Sequence, residues 1–340
     1  MSVLRQPPSA PQGPPKVPPL TLSNPSLVAQ HTPCTLHLSI LPPELACRLF
    51  YTMIDASAGW KKNKWWLFDR VVESPHRTSF YARRSNGVDT DENWQEAAQF
   101  WYNGRQTEAP PVFPDAMEEA CQYVEKAVND EIRNLKRYPL EWGGEGTEGQ
   151  AWRANVAAAN CYEGGKDSVG PHSDHLTYLG PYPTIASLSL GTSRNFRLRE
   201  VIPSEELDTR RARTYNIPLT HNSLTVMHAS TQERFKHSIP PQPTIDLYRP
   251  AYPHTLGAPI EPSNCRINIT FRFYRPDFQP DMIPRCHCKV PAILRPDMKH
   301  TADKYWWVCY AGAQNDGKGC SFWSVMDMKA EGRGPCVAEA

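Results

Sequence analysis

The segment Cys265–Tyr274, CRINITFRFY, constrains the fold more than any other stretch of the chain. Arg266, Asn268, Thr270, Arg272 and Tyr274 fall on one side of an extended backbone, and Ile267, Ile269, Phe271 and Phe273 on the other. This is the period-two alternation of a β-strand. It ends a run of β-favouring stretches, Trp152–Tyr162, Thr184–Leu190, Phe196–Arg199 and Ser223–His228, punctuated by Gly, Pro and Asn turns. Ahead of them helical spacing dominates. Prolines near Leu41 open a helix carrying Leu45, Leu49 and Met53, and residues 115–136 place Met117, Ala120, Cys121, Val124 and Val128 on one helical face. A helical front followed by short strands predicts an α+β chain with an antiparallel β-sandwich or jelly roll at its centre. The proline-rich stretch 240–264 reads as loop.

The 340 residues exceed one typical domain of roughly 100–200 residues, so a large domain with a small appendage is expected. Residues 1–33, rich in Pro with Ser and Gln, predict a disordered polyproline II tail or a ligand for a proline-recognition module. The expected division is tail 1–33, main domain 34–280, small module 281–328 and flexible end 329–340. A formal net charge of +1 gives no global attraction to polyanions, so such contacts must come from local patches. No stretch approaches the roughly 20 apolar residues of a membrane helix, and no signal-peptide core opens the chain. A soluble, intracellular protein with no membrane partner is expected, monomer by default.

Gly170-Pro171-His172-Ser173-Asp174 sets an imidazole and a carboxylate two residues apart, on one side of a strand or turn. In isolation they could equally be surface turn residues. A third ligand would come from His237, which by itself could be an ordinary polar histidine. Two histidines and one carboxylate on one face of a metal form the facial triad of non-heme iron(II) oxygenases, with open positions for a cosubstrate and O2. The polar side of the 265–274 strand could simply face solvent. Its two arginines also make a receptor for a dicarboxylate, because guanidinium forks bind carboxylates bidentately. Asn160 and Tyr162 share a strand face and could add an amide and a phenol to the same cavity.

With these features in this order the sequence resembles the AlkB family of dioxygenases, specifically its nucleic-acid-repair members. The resemblance lies in ANCYEGGKDSVGPHSDH (159–175), PTIASLSLGTSRNFRLR (183–199), LTHNSLTVMHASTQERFKHSIP (219–240) and RINITFRFY (266–274). Fainter likeness extends to HRTSFYAR (76–83) and YNGRQTEAPPVFP (102–114). The resemblance implies a double-stranded β-helix with His172, Asp174 and His237 on iron(II). It places 2-oxoglutarate on Asn160, Tyr162, Arg266, Asn268 and Arg272, and base-side contacts on Arg77 and Tyr81. The implied reaction uses O2 and 2-oxoglutarate to hydroxylate an N-methyl group on a base, which is lost as formaldehyde. The implied partner is DNA, single-stranded or with a flipped base, because such a base must leave its stack. Repair members resembling this chain carry an acidic residue soon after the His-x-Asp pair, whereas His175, Leu176 and Thr177 follow here.

Of ten cysteines, Cys286, Cys288, Cys309 and Cys320 crowd into the C-terminal stretch. Four thiolates in two pairs fit a closed Zn(II) site, with His287 a rival ligand. A fragment of this size lacks a core and would need the metal to fold. The segment resembles GRF-type zinc fingers, with Asp303-Lys304-Tyr305-Trp306 in place of their Gly-Arg-x-Phe signature. That resemblance implies single-strand binding through Lys304, Trp306 and Trp307, although core packing around the metal is the other use for such aromatics. The leading expectation is a DNA dealkylase. An RNA N-methyl demethylase, a protein hydroxylase of the same chemistry and a catalytically silent nucleic-acid-binding protein are the alternatives. Nuclear location is expected from function alone.

Overall fold

A computed structural model of the chain describes residues 17–67, 69–83, 101–102, 105–106, 108–144, 151–300 and 303–337. In chain order the first strands are β1 (Leu20–Thr21), β2 (Cys34–Leu38), β3 (Lys64–Leu67), β4 (Arg70–Glu73), β5 (Arg77–Ala82), β6 (Trp101–Tyr102), β7 (Arg105–Gln106), β8 (Val156–Glu163) and β9 (Val169–His172). They continue as β10 (Ile185–Gly191), β11 (Arg194–Glu200), β12 (Thr214–Leu219), β13 (Ser223–Met227), β14 (Phe235–Ile239), β15 (Cys265–Arg272), β16 (Ile293–Pro296), β17 (Tyr305–Val308) and β18 (Trp323–Val325). The helices are α1 (Pro25–His31), α2 (Pro43–Ser57), α3 (Asp115–Ile132) and the single turn α4 (Thr231–Arg234).

The six-stranded sheet runs β2-β13-β10-β15-β8-β5 and the five-stranded sheet β1-β12-β11-β14-β9. The alternating strand β15 lies inside the larger sheet, between β10 and β8. Neither of its faces meets solvent. Ile267, Ile269 and Phe271 pack into one core with Leu45, Leu49 and Met53 of α2 and Met117 and Val124 of α3. On the polar face Arg266, Asn268 and Thr270 are buried too. That face looks toward the smaller sheet, whose Phe196, Leu198, Ile217 and Phe235 share a second core with Tyr162 and Ile185. The reading of this face as half-exposed is thereby excluded, and its polarity calls for internal partners. Gly191 closes β10 against β15 with φ +88°, where an added Cβ would lie 2.3 Å from the Cys265 carbonyl oxygen.

Two expected tails belong to the folded body. Within 1–33, β1 pairs in parallel with β12, and the Asn24 side chain caps α1 by accepting the Leu27 N–H at 3.0 Å. Leu22 and Val28 are both 0 % exposed. Two apolar side chains among prolines suffice to anchor a segment whose composition reads as disordered; residues 1–16 lie outside the described residues. At the other end Arg333 is buried and donates to the carbonyls of Asp277 and Met282, and Val337 N–H donates to the Glu141 carbonyl at 3.0 Å. Residues 329–337 are thus ordered on the main body, and 338–340 lie outside the described residues.

The module expected at 281–328 is a three-stranded antiparallel sheet, β16-β17-β18, and it shares the main core. Its inward face carries Leu294, Tyr305 and Trp307; Trp307 is 1 % exposed, beside Phe278 and under the Arg333 guanidinium. Tyr305 OH donates to Glu233 of α4 at 3.2 Å, and Tyr182 hydrogen-bonds Asp303. Burial pushes the Glu233 carboxyl up to about 7. Trp307→Ala should cost about 3–5 kcal/mol, read as a lower denaturant midpoint for the whole chain. An unmoved main transition would instead make the module an independent appendage.

Candidate metal and dicarboxylate site

Strand pairing assembles the site. β9 and β14 are antiparallel neighbours with His172 opposite His237, so both imidazoles leave one sheet face with ring centres 4.2 Å apart. Asp174 follows β9, its N–H held at 2.9 Å by the Gln232 side-chain oxygen from α4. Asp174 Oδ1 lies 3.8 Å from His172 Nε2 and 3.5 Å from His237 Nε2. The three ligand atoms sit within 4.8 Å of one another. His172 Nδ1–H donates to the Gly170 carbonyl at 2.8 Å, which leaves the Nε2 lone pair aimed inward. Burial, aided by the neighbouring His172, pushes His237 down to about 3, so its imidazole is a neutral ligand throughout the physiological range. Two imidazole nitrogens and one carboxylate oxygen on one side fit a facial iron(II) site.

The other carboxylate oxygen of Asp174 accepts from Arg272 Nε at 3.0 Å and Nη2 at 2.7 Å. Burial raises the carboxyl, but the Arg272 guanidinium and the two imidazoles outweigh it and hold Asp174 well below the usual carboxylate range. Arg272 therefore braces a candidate metal ligand, so one of the two arginines expected in the dicarboxylate receptor is engaged with Asp174 in this structure.

Arg266 carries that receptor's remaining half. It is 1 % exposed and donates through Nη2 to Ser189 Oγ at 2.8 Å. Its Nε and Nη1 are buried with no hydrogen-bond partner among the described residues. Its guanidinium lies 5.3 Å from the Tyr162 ring centre, and that of Arg194 lies 5.8 Å from the same ring. Burial lowers Arg266 to about 10. A buried cation with two orphaned donors calls for an anion, and a carboxylate fits that demand.

Asn160 and Asn268 are neighbours, with Asn160 Nδ2 donating to Asn268 Oδ1 at 3.4 Å. Asn268 donates in turn to Ser187 Oγ at 2.8 Å and accepts from Thr270 at 3.2 Å. Asn268 thus sits in a buried internal network. His76 is a member that sequence reasoning missed. It stacks on Tyr162 at 4.9 Å and donates through Nδ1 to the Ser168 carbonyl at 2.9 Å. Its segment, HRTSFYAR, resembled a known one only faintly, and nothing local marks a histidine on β5's approach as a neighbour of β8.

Among the expected nucleic-acid contacts, Arg77 is half-buried and paired with Glu163 at 3.2 Å. Tyr81 is buried in the helix-facing core, accepting from Trp60 Nε1 at 3.3 Å, and Trp307 is buried as described. Neither ring offers a face to a ligand, because side-chain alternation on β5 and β17 turns both inward. Lys304 is exposed, and Trp306 is partly exposed beside Trp323 with ring centres 5.5 Å apart. Cys286, Cys288, Cys309 and Cys320 bring their sulfurs within 4.8 Å of one another. Cys309 Sγ accepts the N–H groups of Ala311 and Cys320 at 3.4 Å each. His287 stands outside this cluster, edge-on to Phe322.

Arg266→Gln should weaken 2-oxoglutarate binding by about tenfold or more, since each hydrogen bond to a charged group is worth about 1.5–3 kcal/mol. Calorimetric titration of the metal-loaded protein reads this directly. Wild-type affinity in the variant would move the anion elsewhere.

The description "2OG-Fe(II) oxygenase superfamily" matches residues 39–272. Over 112 residues the chain is 40 % identical to "Alpha-ketoglutarate-dependent dioxygenase alkB homolog 3" of Mus musculus, covering 31 % of this chain and 39 % of that protein. Over 127 residues it is 31 % identical to "DNA oxidative demethylase ALKBH2" of Homo sapiens, covering 37 % of this chain and 41 % of that protein. The matches thus span about two fifths of these relatives' length. A solved structure titled "The structure of OsALKBH1" aligns over 72 % of this chain and 98 % of its own at 14 % identity, with a TM-score of 0.44. The match over 39–272 takes in the paired histidines, Asp174 and the whole of β15, and on it the chain belongs to the 2OG-Fe(II) oxygenase superfamily.

Proposed function

We propose that this chain is an iron(II)- and 2-oxoglutarate-dependent dioxygenase that removes N-alkyl groups from nucleic-acid bases, DNA first, on a double-stranded β-helix. The observation that carries the reading is the single strand β15, which begins with the orphaned donors of Arg266 and ends on Arg272, the brace of Asp174. The names of the relatives, a dioxygenase and a DNA oxidative demethylase, point to the same class of substrate.

His172 Nε2, His237 Nε2 and Asp174 Oδ1 would hold iron(II), and Arg266 with Tyr162 would hold the far carboxylate of 2-oxoglutarate. When bound, iron would supply with O2 and 2-oxoglutarate the hydroxylation of a methyl C–H, one oxygen atom going to the methyl carbon and the other to the succinate released with CO2; the hydroxylated carbon would then leave its nitrogen as formaldehyde. The protein's own part is to orient and exclude. Arg272 would fix which Asp174 oxygen faces the metal, Gln232 holds the Asp174 backbone, and the stacked pair Tyr162–His76 stands beside Arg266. A preset ligand geometry costs no reorganisation when the reaction begins.

Formaldehyde release from N-methylated single-stranded DNA, with RNA and peptide arms, tests the reading. Release that needs both iron(II) and 2-oxoglutarate is expected on DNA; release only from RNA, or hydroxylation only of peptide, would replace the substrate. Asp174→Ala should abolish turnover and also destabilise the fold by about 3–5 kcal/mol by stranding Arg272. Full activity in that variant would remove Asp174 from the centre.

We further propose that the four cysteine sulfurs hold Zn(II) as thiolates in a closed tetrahedral site, supported by the two N–H···S contacts to Cys309. Cys309→Ser should lower bound zinc from one equivalent to none by elemental analysis. It should also weaken single-strand binding; zinc retained at one equivalent would reassign the ligand.

A further inference from the structure

The C-terminal module reaches the mouth of the iron site. Leu176 N–H, two residues after Asp174, donates to the Leu294 carbonyl of β16 at 3.2 Å, and Leu294 N–H donates to Thr177 Oγ1 at 3.2 Å. This fixes the edge of β16 to the segment that carries a metal ligand. Leu294 points into the core, so by strand alternation Arg295 points out. Tyr310, immediately after Cys309, sets its ring edge-on to His175 at 4.9 Å, and the Arg295 guanidinium lies 5.7 Å from the Tyr310 ring centre. His175 directly follows Asp174 and is within electrostatic reach of Arg295, Asp174 and His172. Two of the three groups lining this side of the mouth therefore come from the module.

Their chemistry is specific. Arg295 is exposed and has no ion-pair partner among the described residues. The aromatic rings beside it are followed outward by Trp306, which is opposite Arg295 in the β16–β17 register and packs against Trp323. A cation interleaved with aromatic rings, and no carboxylate among them, suits a chain of stacked bases linked by phosphodiesters.

We propose that Tyr310 and Arg295 of the C-terminal module, together with His175, form the substrate-side wall of the iron site and hold the nucleotide next to the target base. Tyr310 stacks that base and Arg295 pairs its phosphodiester. The assignment rests on the nucleic-acid reading above, and it makes the module a part of the catalytic pocket as well as a separate hold on the strand.

The test uses the full chain with a fluorescent single-stranded oligonucleotide bearing one N-methylated base. Affinity is read by anisotropy and KM by formaldehyde release. Tyr310→Ala should raise Kd and KM together by about tenfold, the loss of one base–aromatic stack. Tyr310→Phe, which keeps the ring, should restore both. Arg295→Gln, at an exposed position that should not disturb folding, should lower the slope of log Kd against log salt by about one. Wild-type Kd, KM and salt slope in Arg295→Gln together with wild-type Kd and KM in Tyr310→Ala would overturn the proposal. So would tighter binding of an acidic peptide than of the oligonucleotide. A wild-type protein that binds through Tyr310 and Arg295 but releases no formaldehyde would sink the dealkylase reading and sustain the wall. One that binds no oligonucleotide would sink the wall.

Discussion

The Asp174–Arg272 ion pair ties the two sheets together at the place where chemistry is expected. Asp174 hangs from the end of β9 in the smaller sheet, and Arg272 closes β15 in the larger one. Taking either charge out of water alone costs several kcal/mol, so each needs the other, and the two-pronged contact at 3.0 and 2.7 Å repays part of that cost. The pair leaves Asp174 Oδ1 free of arginine and facing two imidazoles. One carboxylate thus joins the sheets and offers a ligand oxygen on the side of the two imidazoles.

The same segment binds the C-terminal module. Gln232 of α4 holds the Asp174 N–H, and its neighbour Glu233 accepts from Tyr305 of β17 and from the Tyr182 backbone. Two consecutive side chains of a single helical turn therefore grip the iron side and the module side. The buried Glu233 carboxyl, raised to about 7, is largely protonated below that value. Its folded form is then above the unfolded value of about 4.3. The contribution to stability is present below the unfolded value and is lost as pH rises through 7.

The β-rich fold, the His172–Asp174 pair and the strand bearing both arginines were legible because each rests on local spacing, whereas His237 comes beside the pair only through β9–β14 pairing. What faces what was not. Clean alternation on β15 suggests one wet side, yet helices α2 and α3 cover the apolar face and the second sheet covers the polar one. Trp306 and Trp307 are adjacent and chemically alike, and only the docking of β17 decides that the second is core. Leu22 and Val28 are two apolar residues in a proline-rich stretch, too few to shift a compositional reading but enough to fill two sites in a core. His76 reaches Tyr162 through β5–β8 pairing, a contact between residues far apart in sequence.

Polar residues on β10 and β15 find their partners in one another inside an otherwise hydrophobic sandwich. Ser187 and Ser189 stand opposite Thr270 and Asn268 in register, and their hydroxyls receive the amide of Asn268 and the guanidinium of Arg266. Apolar residues at these four positions would collapse the space and leave the Arg266 donors buried with nothing to meet them. As built, Ser189 satisfies one donor and leaves Nε and Nη1 unmet, with Arg194 adding a second positive charge across the Tyr162 ring. Two buried guanidinium donors without a protein acceptor among the described residues are costly unless another group meets them. A dianion that binds there removes that cost in the native state alone, so affinity for the cosubstrate and stability of the sandwich rise together.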